Sequence, residues 1–213
     1  MATTFEVLPA TRKDLTFGEL LDQSQKNISL HLHELGITHE IQLRAEIITN
    51  KNRREVLPDK VFKWSVGPPD YAYLWISLNG VPGGTDVYCD TISSRLPEHK
   101  WHIFDELREA LNFNPVYERL LGSAKKLDRR WRFRRSMGQP EIINLSYGII
   151  AATLAELTDG LIYSCDGAWN DQFLPTTGAA FRAHYFSPDS YAEQHSKKWV
   201  ETVIASLQES VFK

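Results

Sequence analysis

The chain has 213 residues, 42% hydrophobic and 24% charged, with 24 lysines and arginines against 27 acids and a formal net charge of −3. That balance, with a pI near 6.2, excludes a bulk electrostatic commitment to nucleic acid or to an anionic membrane surface, and the length suits one sizeable core in a single domain over residues 1–213. Mean hydropathy is −0.34, and no apolar run is long enough for a conventional transmembrane helix.

The first half reads mostly as strands. Ile28-Ser29-Leu30-His31-Leu32-His33 alternates apolar and polar residues, the period-2 signature of a half-buried strand. Gly36 interrupts, and Ile41 to Ile47 alternates again, so 28–48 is expected to form a hairpin. Val61 to Val66 and Tyr71 to Leu78 follow. They are separated by Gly67-Pro68-Pro69-Asp70, strong turn chemistry because proline fixes φ and removes a ladder donor. Asn79-Gly80 and Pro82-Gly83-Gly84 bracket another turn before Thr85 to Cys89. The expectation is an N-terminal antiparallel meander of about five strands.

The second half turns helical. Phe104, Leu107 and Leu111 share one helical face, and Asn114 before Pro115 fits an N-cap followed by proline at the first helical position of a helix over 116–127. Ile142 to Leu157 is apolar all round, which predicts a central buried helix, and Asp159-Gly160 supplies its left-handed stop. Leu161 to Ser164 reads as a short buried strand and Asp166-Gly167 as a turn. Thr177 to Phe186 and Asp189 to Phe212 read as helices, the latter with Trp199, Val203 and Leu207 at four-residue spacing. Strands first and helices later give the α+β class, the meander packed against C-terminal helices.

Recognisable catalytic spacing is missing. Gly80-Val81-Pro82-Gly83-Gly84 lacks the Gly-Lys-Ser/Thr ending of a phosphate loop and reads as a hairpin turn. His31 and His33 on one strand face, or His99 and His102, give pairs without a third ligand of suitable spacing, so no metal is expected. No Gly-x-Ser-x-Gly elbow occurs. Cys89 lies beside Asp90, and Cys165 beside Asp166; a neighbouring acid raises a thiol's pKa and opposes reactivity. Two cysteines 76 positions apart form no regular framework, and Met1-Ala2-Thr3-Thr4-Phe5-Glu6 has neither a basic stretch nor an apolar one of the secretory kind. Reduced thiols and a cytoplasmic location are the expectation.

Two segments stand out. Lys125 to Arg135 holds seven of the chain's 24 basic residues and one of its 27 acids. Arg130, Arg132 and Arg134 alternate with Trp131 and Phe133, so a strand here would put arginines on one face and aromatics on the other. Such a stripe serves a nucleic-acid contact, docking onto an acidic protein patch, or simple pairing with the chain's own acids over an aromatic core. The second segment, Leu161 to Asp171, carries a buried strand into a loop with Asp166, Trp169 and Asp171. That is the composition of an interface anchor with an electrostatic rim, and equally of a turn pinned by its own tryptophan.

The run Leu154-Ala155-Glu156-Leu157-Thr158-Asp159-Gly160-Leu161-Ile162-Tyr163-Ser164-Cys165-Asp166-Gly167-Ala168-Trp169, with Gly83-Gly84-Thr85-Asp86 upstream, resembles bacterial immunity proteins. Within them it is similar to the family that pairs with restriction-endonuclease-like nuclease toxins of secretion systems, type VI included. The resemblance spans residues 70–190. It implies a cytoplasmic α+β protein that binds and silences a cognate protein toxin, with no catalysis and no cofactor of its own. An acidic body suits such an inhibitor, because carboxylates can occupy a phosphate site and steer association. The residues expected at the interface are Asp166, Trp169 and Asp171, and secondarily Arg130, Arg132 and Arg134, with neither nucleic acid nor membrane as partner. The alternative is a small hydrolase or transferase whose site is assembled from scattered residues such as Asp86, Asp90 and a histidine.

Overall fold

The computed structural model describes residues 3–38, 40–62, 72–92, 102–112, 114–169, 173–191 and 194–210. In chain order the elements are β1 (Thr3–Leu8), α1 (Phe17–Glu34), β2 (Leu43–Thr49), β3 (Arg53–Glu55), β4 (Ala72–Leu78), β5 (Thr85–Asp90), α2 (His102–Ala110), α3 (Pro115–Leu127), β6 (Arg130–Arg135), α4 (Glu141–Leu157), β7 (Leu161–Tyr163), β8 (Thr176–Thr177), α5 (Gly178–His184) and α6 (Gln194–Ser210). The fold is α+β. Its strands form one antiparallel sheet of eight in the order β3-β2-β4-β5-β6-β1-β7-β8.

The expected strand at 28–33 is instead the last third of α1. The helix starts at a capping box: the Thr16 hydroxyl accepts from the Glu19 amide while the Glu19 carboxylate accepts from the Thr16 amide. Leu20, Ser24, Asn27, Ile28, His31 and Leu32 are buried at helical spacing. A strand would have buried Leu30 and exposed His31; the helix does the reverse, leaving Leu30 59% and His31 8% exposed. The six-residue alternation therefore coincided with a helical repeat, because residues 28 and 32 share a face in either a strand or a helix. Of the expected strand at 61–66, residues 63–66 lie outside the described residues, and Val61 makes a single antiparallel bridge to Thr16.

Strand β1 reorganises the meander. It enters between β6 and β7, pairing Phe5 with Phe133 and Val7 with Trp131 on one side and with Ile162 on the other. The first strand of the chain thereby joins the meander to the late strands. Side chains on one face of the sheet (Phe5, Val7, Val87, Leu74, Ile76, Ala45, Ile47, Phe133, Trp131) pack into the main core under α4.

Helix α4 is buried along nearly its whole length, as its composition predicts, and packs on α1, α5, β1 and β6. Two local details fix these contacts. Nδ2 of Asn27 on α1 donates to Oγ1 of Thr153 on α4 at 2.9 Å within the core. A Cβ at Gly148 would collide with the ring of Tyr185, whose hydroxyl donates to the Asn144 carbonyl at 2.7 Å. The helix ends where Asp159, the first residue of the expected Asp159-Gly160 stop, takes the left-handed conformation, φ 48°. On the opposite sheet face, Phe104 and Leu107 of α2 and Leu121 and Ala124 of α3 cover Leu8, Leu161 and Tyr163, forming a second, smaller cluster at the β1–β7 end.

Candidate protein-binding face

Beyond that second cluster, the same sheet face carries a polar and aromatic mosaic on β2, β4, β5 and β6. Alternation along β6 buries Trp131 and Phe133 and turns Arg130, Arg132 and Arg134 to this face. In register with them on β5 stand Asp90, Tyr88 and Asp86. Beyond β5, Trp75 of β4 stands opposite Asp86, and Glu46 of β2 opposite Trp75.

The three arginines are paired. Arg132 Nε donates to Asp90 Oδ2 at 2.6 Å, and its guanidinium lies 5.2 Å from the Tyr88 ring centroid. Arg130 reaches Glu6 Oε2 at 3.3 Å and Asp90 Oδ2 at 4.0 Å. Arg134 faces Asp86 at 3.8 Å with its own side chain 48% exposed. Burial raises the Asp86 carboxyl above its ordinary range, and Arg134 partly offsets this. The basic stripe is thus set against acids of β1 and β5, with aromatic rings in the same layer: Tyr73 and Tyr88 lie 5.7 Å apart.

The turn between β4 and β5 supports this face. Gln139 clamps it, accepting from the Gly84 amide at 2.6 Å and donating to the Gly84 carbonyl at 2.9 Å. A side chain at Gly84 would run into the Trp75 indole. The glycine-rich stretch therefore acts as a hairpin turn, with Gly80 and Gly83 at positive φ, and sets the position of Trp75.

The loop residues expected at the interface take different places. Asp166 Oδ1 accepts from the Thr4 amide and from the Ser164 hydroxyl, both at 3.0 Å, so it closes its own turn and ties it to the start of β1. Thr4 in turn pairs with Arg134, which brings Asp166 to the corner of the sheet where the arginine stripe ends. Trp169 turns inward. It is 7% exposed, with its ring 4.4 Å from Tyr185, 5.0 Å from Phe186 and 5.3 Å from Tyr191. Asp171 lies outside the described residues. Sequence reasoning missed Tyr73, Trp75 and Tyr88 as members of a common face with the arginines; the period-2 alternation of both strands was the available signal.

Among the described residues, the candidates of the hydrolase alternative are placed as follows. Asp86 and Asp90 each face an arginine, His31 is buried in α1 and His33 is exposed on it, while His99 lies outside the described residues. Among the described residues no three His, Cys, Asp or Glu side chains group to hold a metal ion. Both cysteines are free; burial chiefly pushes the Cys89 thiol up to about 12 and the Cys165 thiol up to about 11, so both are protonated at neutral pH. The neighbouring acids add to that shift, but desolvation is the larger cause. No helix among the described residues is long and apolar enough to cross a membrane. No family model, curated protein or solved structure matches the chain.

Proposed function

We propose that the chain is an immunity protein that binds a cognate nuclease toxin in the cytoplasm and neutralises it without catalysis of its own. The observation that carries this reading is the mosaic of Tyr73, Trp75, Tyr88, Arg132 and Arg134 on one sheet face. Tyrosine, tryptophan and arginine are the residue types that dominate binding energy at protein interfaces. Here they stand on rigid, paired strands, so little conformational freedom is lost on docking. The arginines favour a protein over nucleic acid because each already faces a carboxylate; phosphate binding draws on uncompensated cations. Asp166, exposed at the corner of the face, supplies a carboxylate for the basic groups a nuclease presents to its substrate. The resemblance of residues 70–190 to immunity proteins points the same way.

The test is protection. The chain is co-expressed with any nuclease-toxin domain found encoded beside its gene, and survival and DNA integrity are followed. Protection by the native chain and its loss in Trp75→Ala and Arg134→Glu, with unchanged unfolding midpoints, is the expected result. Full protection by both variants would move the interface off this face, and no protection by the native chain would remove the function.

A further inference from the structure

Helices α2 and α3 are seated on the sheet far more lightly than α4. Of the 13 residues of α3 only Leu121 and Ala124 are buried, against 12 of the 17 in α4. On α2 the buried side chains are Phe104 and Leu107. These four meet Leu8, Leu161 and Tyr163 in a cluster separate from the main core. Even there the fit is incomplete. A cavity of about 320 Å³ lies between Ile103, Leu107 and Ala110 of α2 and Cys165, Leu174 and Pro175 across from it. Side chains that line a void forfeit dispersion contacts on that side.

The two helices are tied to one another. Arg108 of α2 donates from Nε to Glu118 Oε1 of α3 at 2.8 Å, and from Nη1 to Asp105 Oδ1 at 3.1 Å. Helix α3 then stops at Asp128, left-handed with φ 50°, whose amide donates to the Ala124 carbonyl at 3.1 Å. That places a break in the backbone between the helical pair and β6.

We infer that α2 and α3 form one hinged cover, which swings off the β1–β7 end of the sheet as a unit while the main core stays folded. A unit with few buried apolar contacts opens at a lower free energy than the whole chain unfolds. Opening turns Leu8, Leu161 and Tyr163 to solvent. Tyr163 stands opposite Glu6, and Glu6 opposite Arg132, so the open form extends the mosaic face across β1 and β7. The device holds whether or not a toxin binds the neighbouring strands.

Native-state hydrogen exchange of the full chain, read by peptide mass spectrometry where closing outruns exchange, tests this. The amides of α2 and α3 should share a protection at least about tenfold below that of α4. Leu154→Ala, in the main core, should lower α4 protection by about thirtyfold or more and leave α2 and α3 unchanged, because their opening does not break that core. Ile150→Val, at about twofold or more, makes the same comparison if Leu154→Ala does not fold. Leu121→Ala should lower α2 and α3 together by one factor of about tenfold or more. Protection of α2 and α3 that equals that of α4, or falls with it in the core variants, would show that they open only with the whole chain. A Leu121→Ala effect confined to α3 would show that the helices are not one unit. Either result overturns the inference.

Discussion

Arg132 donates from Nε to Asp90 Oδ2 at 2.6 Å, and the carboxylate it meets is only 3% exposed while the Arg132 side chain is 23% exposed. The pair runs diagonally between β6 and β5, with Arg130 on the other side of the same carboxylate. Asp90→Ala leaves two partly buried guanidiniums short of an acceptor and should cost about 1–3 kcal/mol. Asp86→Ala removes a longer contact to a half-exposed arginine and should stay within about 1 kcal/mol of zero. Urea unfolding of the two variants separates the cases, and equal losses would contradict this ranking.

Trp169 carries the second prediction. Its ring also lies 6.1 Å from Trp199, so it stands at the meeting point of the turn after β7, α5 and α6. Trp169→Ala should lower stability by about 3–5 kcal/mol, the usual loss for a buried aromatic. Trp199→Ala, at a side chain 47% exposed, should lose far less. A Trp169→Ala protein with an unchanged unfolding midpoint would return this residue to the surface as a binding anchor.

The contrast between β6 and α1 shows what the residue pattern encodes. Along Arg130 to Arg135 charge alternates with large aromatics, which no helix could segregate, so the strand and its two faces were legible. Along Ile28 to His33 the alternating residues were leucine and histidine, and histidine tolerates burial. The pattern was then too short to tell period 2 from a helical turn, although Thr16-x-x-Glu19 upstream marked a helix start. Strand β1 has its own alternation, Phe5 and Val7 against Thr4 and Glu6, but its place between β6 and β7 is a long-range pairing that no local pattern records. The mosaic face follows from that pairing and from cross-strand register, so its membership required the assembled sheet. Trp169 was undecidable from sequence because a loop tryptophan is inward or outward according to what α5 and α6 bring beside it.

A third prediction tests the close approach of α4 and α5. With Tyr185 about 1% exposed, its ring has no room to move away from a methyl group at position 148. Gly148→Ala should therefore cost about 1–3 kcal/mol despite alanine's better helix propensity. Tyr185→Leu should be destabilising alone, yet it relieves the clash. The double variant should thus be more stable than the sum of single effects by at least about 0.5 kcal/mol. Simple additivity would show that the two residues do not share the contact.

The last prediction concerns His31. Burial depresses its pKa below the ordinary 6.5, while Glu34 at 3.7 Å and the Tyr185 backbone partly offset this and Arg182 adds to the depression. Arg182 is itself held by Glu156 at 2.6 Å, so its charge stays beside the imidazole. The fold therefore favours neutral histidine and the unfolded chain binds the proton more readily. The sign follows from linkage: this contribution is fully present above 6.5 and is lost as pH falls through the depressed folded value. The native chain should lose stability below pH 6.5 with a slope from this group of at most about 1.4 kcal/mol per pH unit. Asp86 works in the opposite direction, because its raised carboxyl pKa favours the protonated form in the fold and adds stability as the pH drops further. The difference between native chain and His31→Gln, measured by urea unfolding at each pH, isolates the imidazole. It should shrink steadily on acidification below 6.5, and a difference independent of pH would show that His31 is not held neutral by the fold.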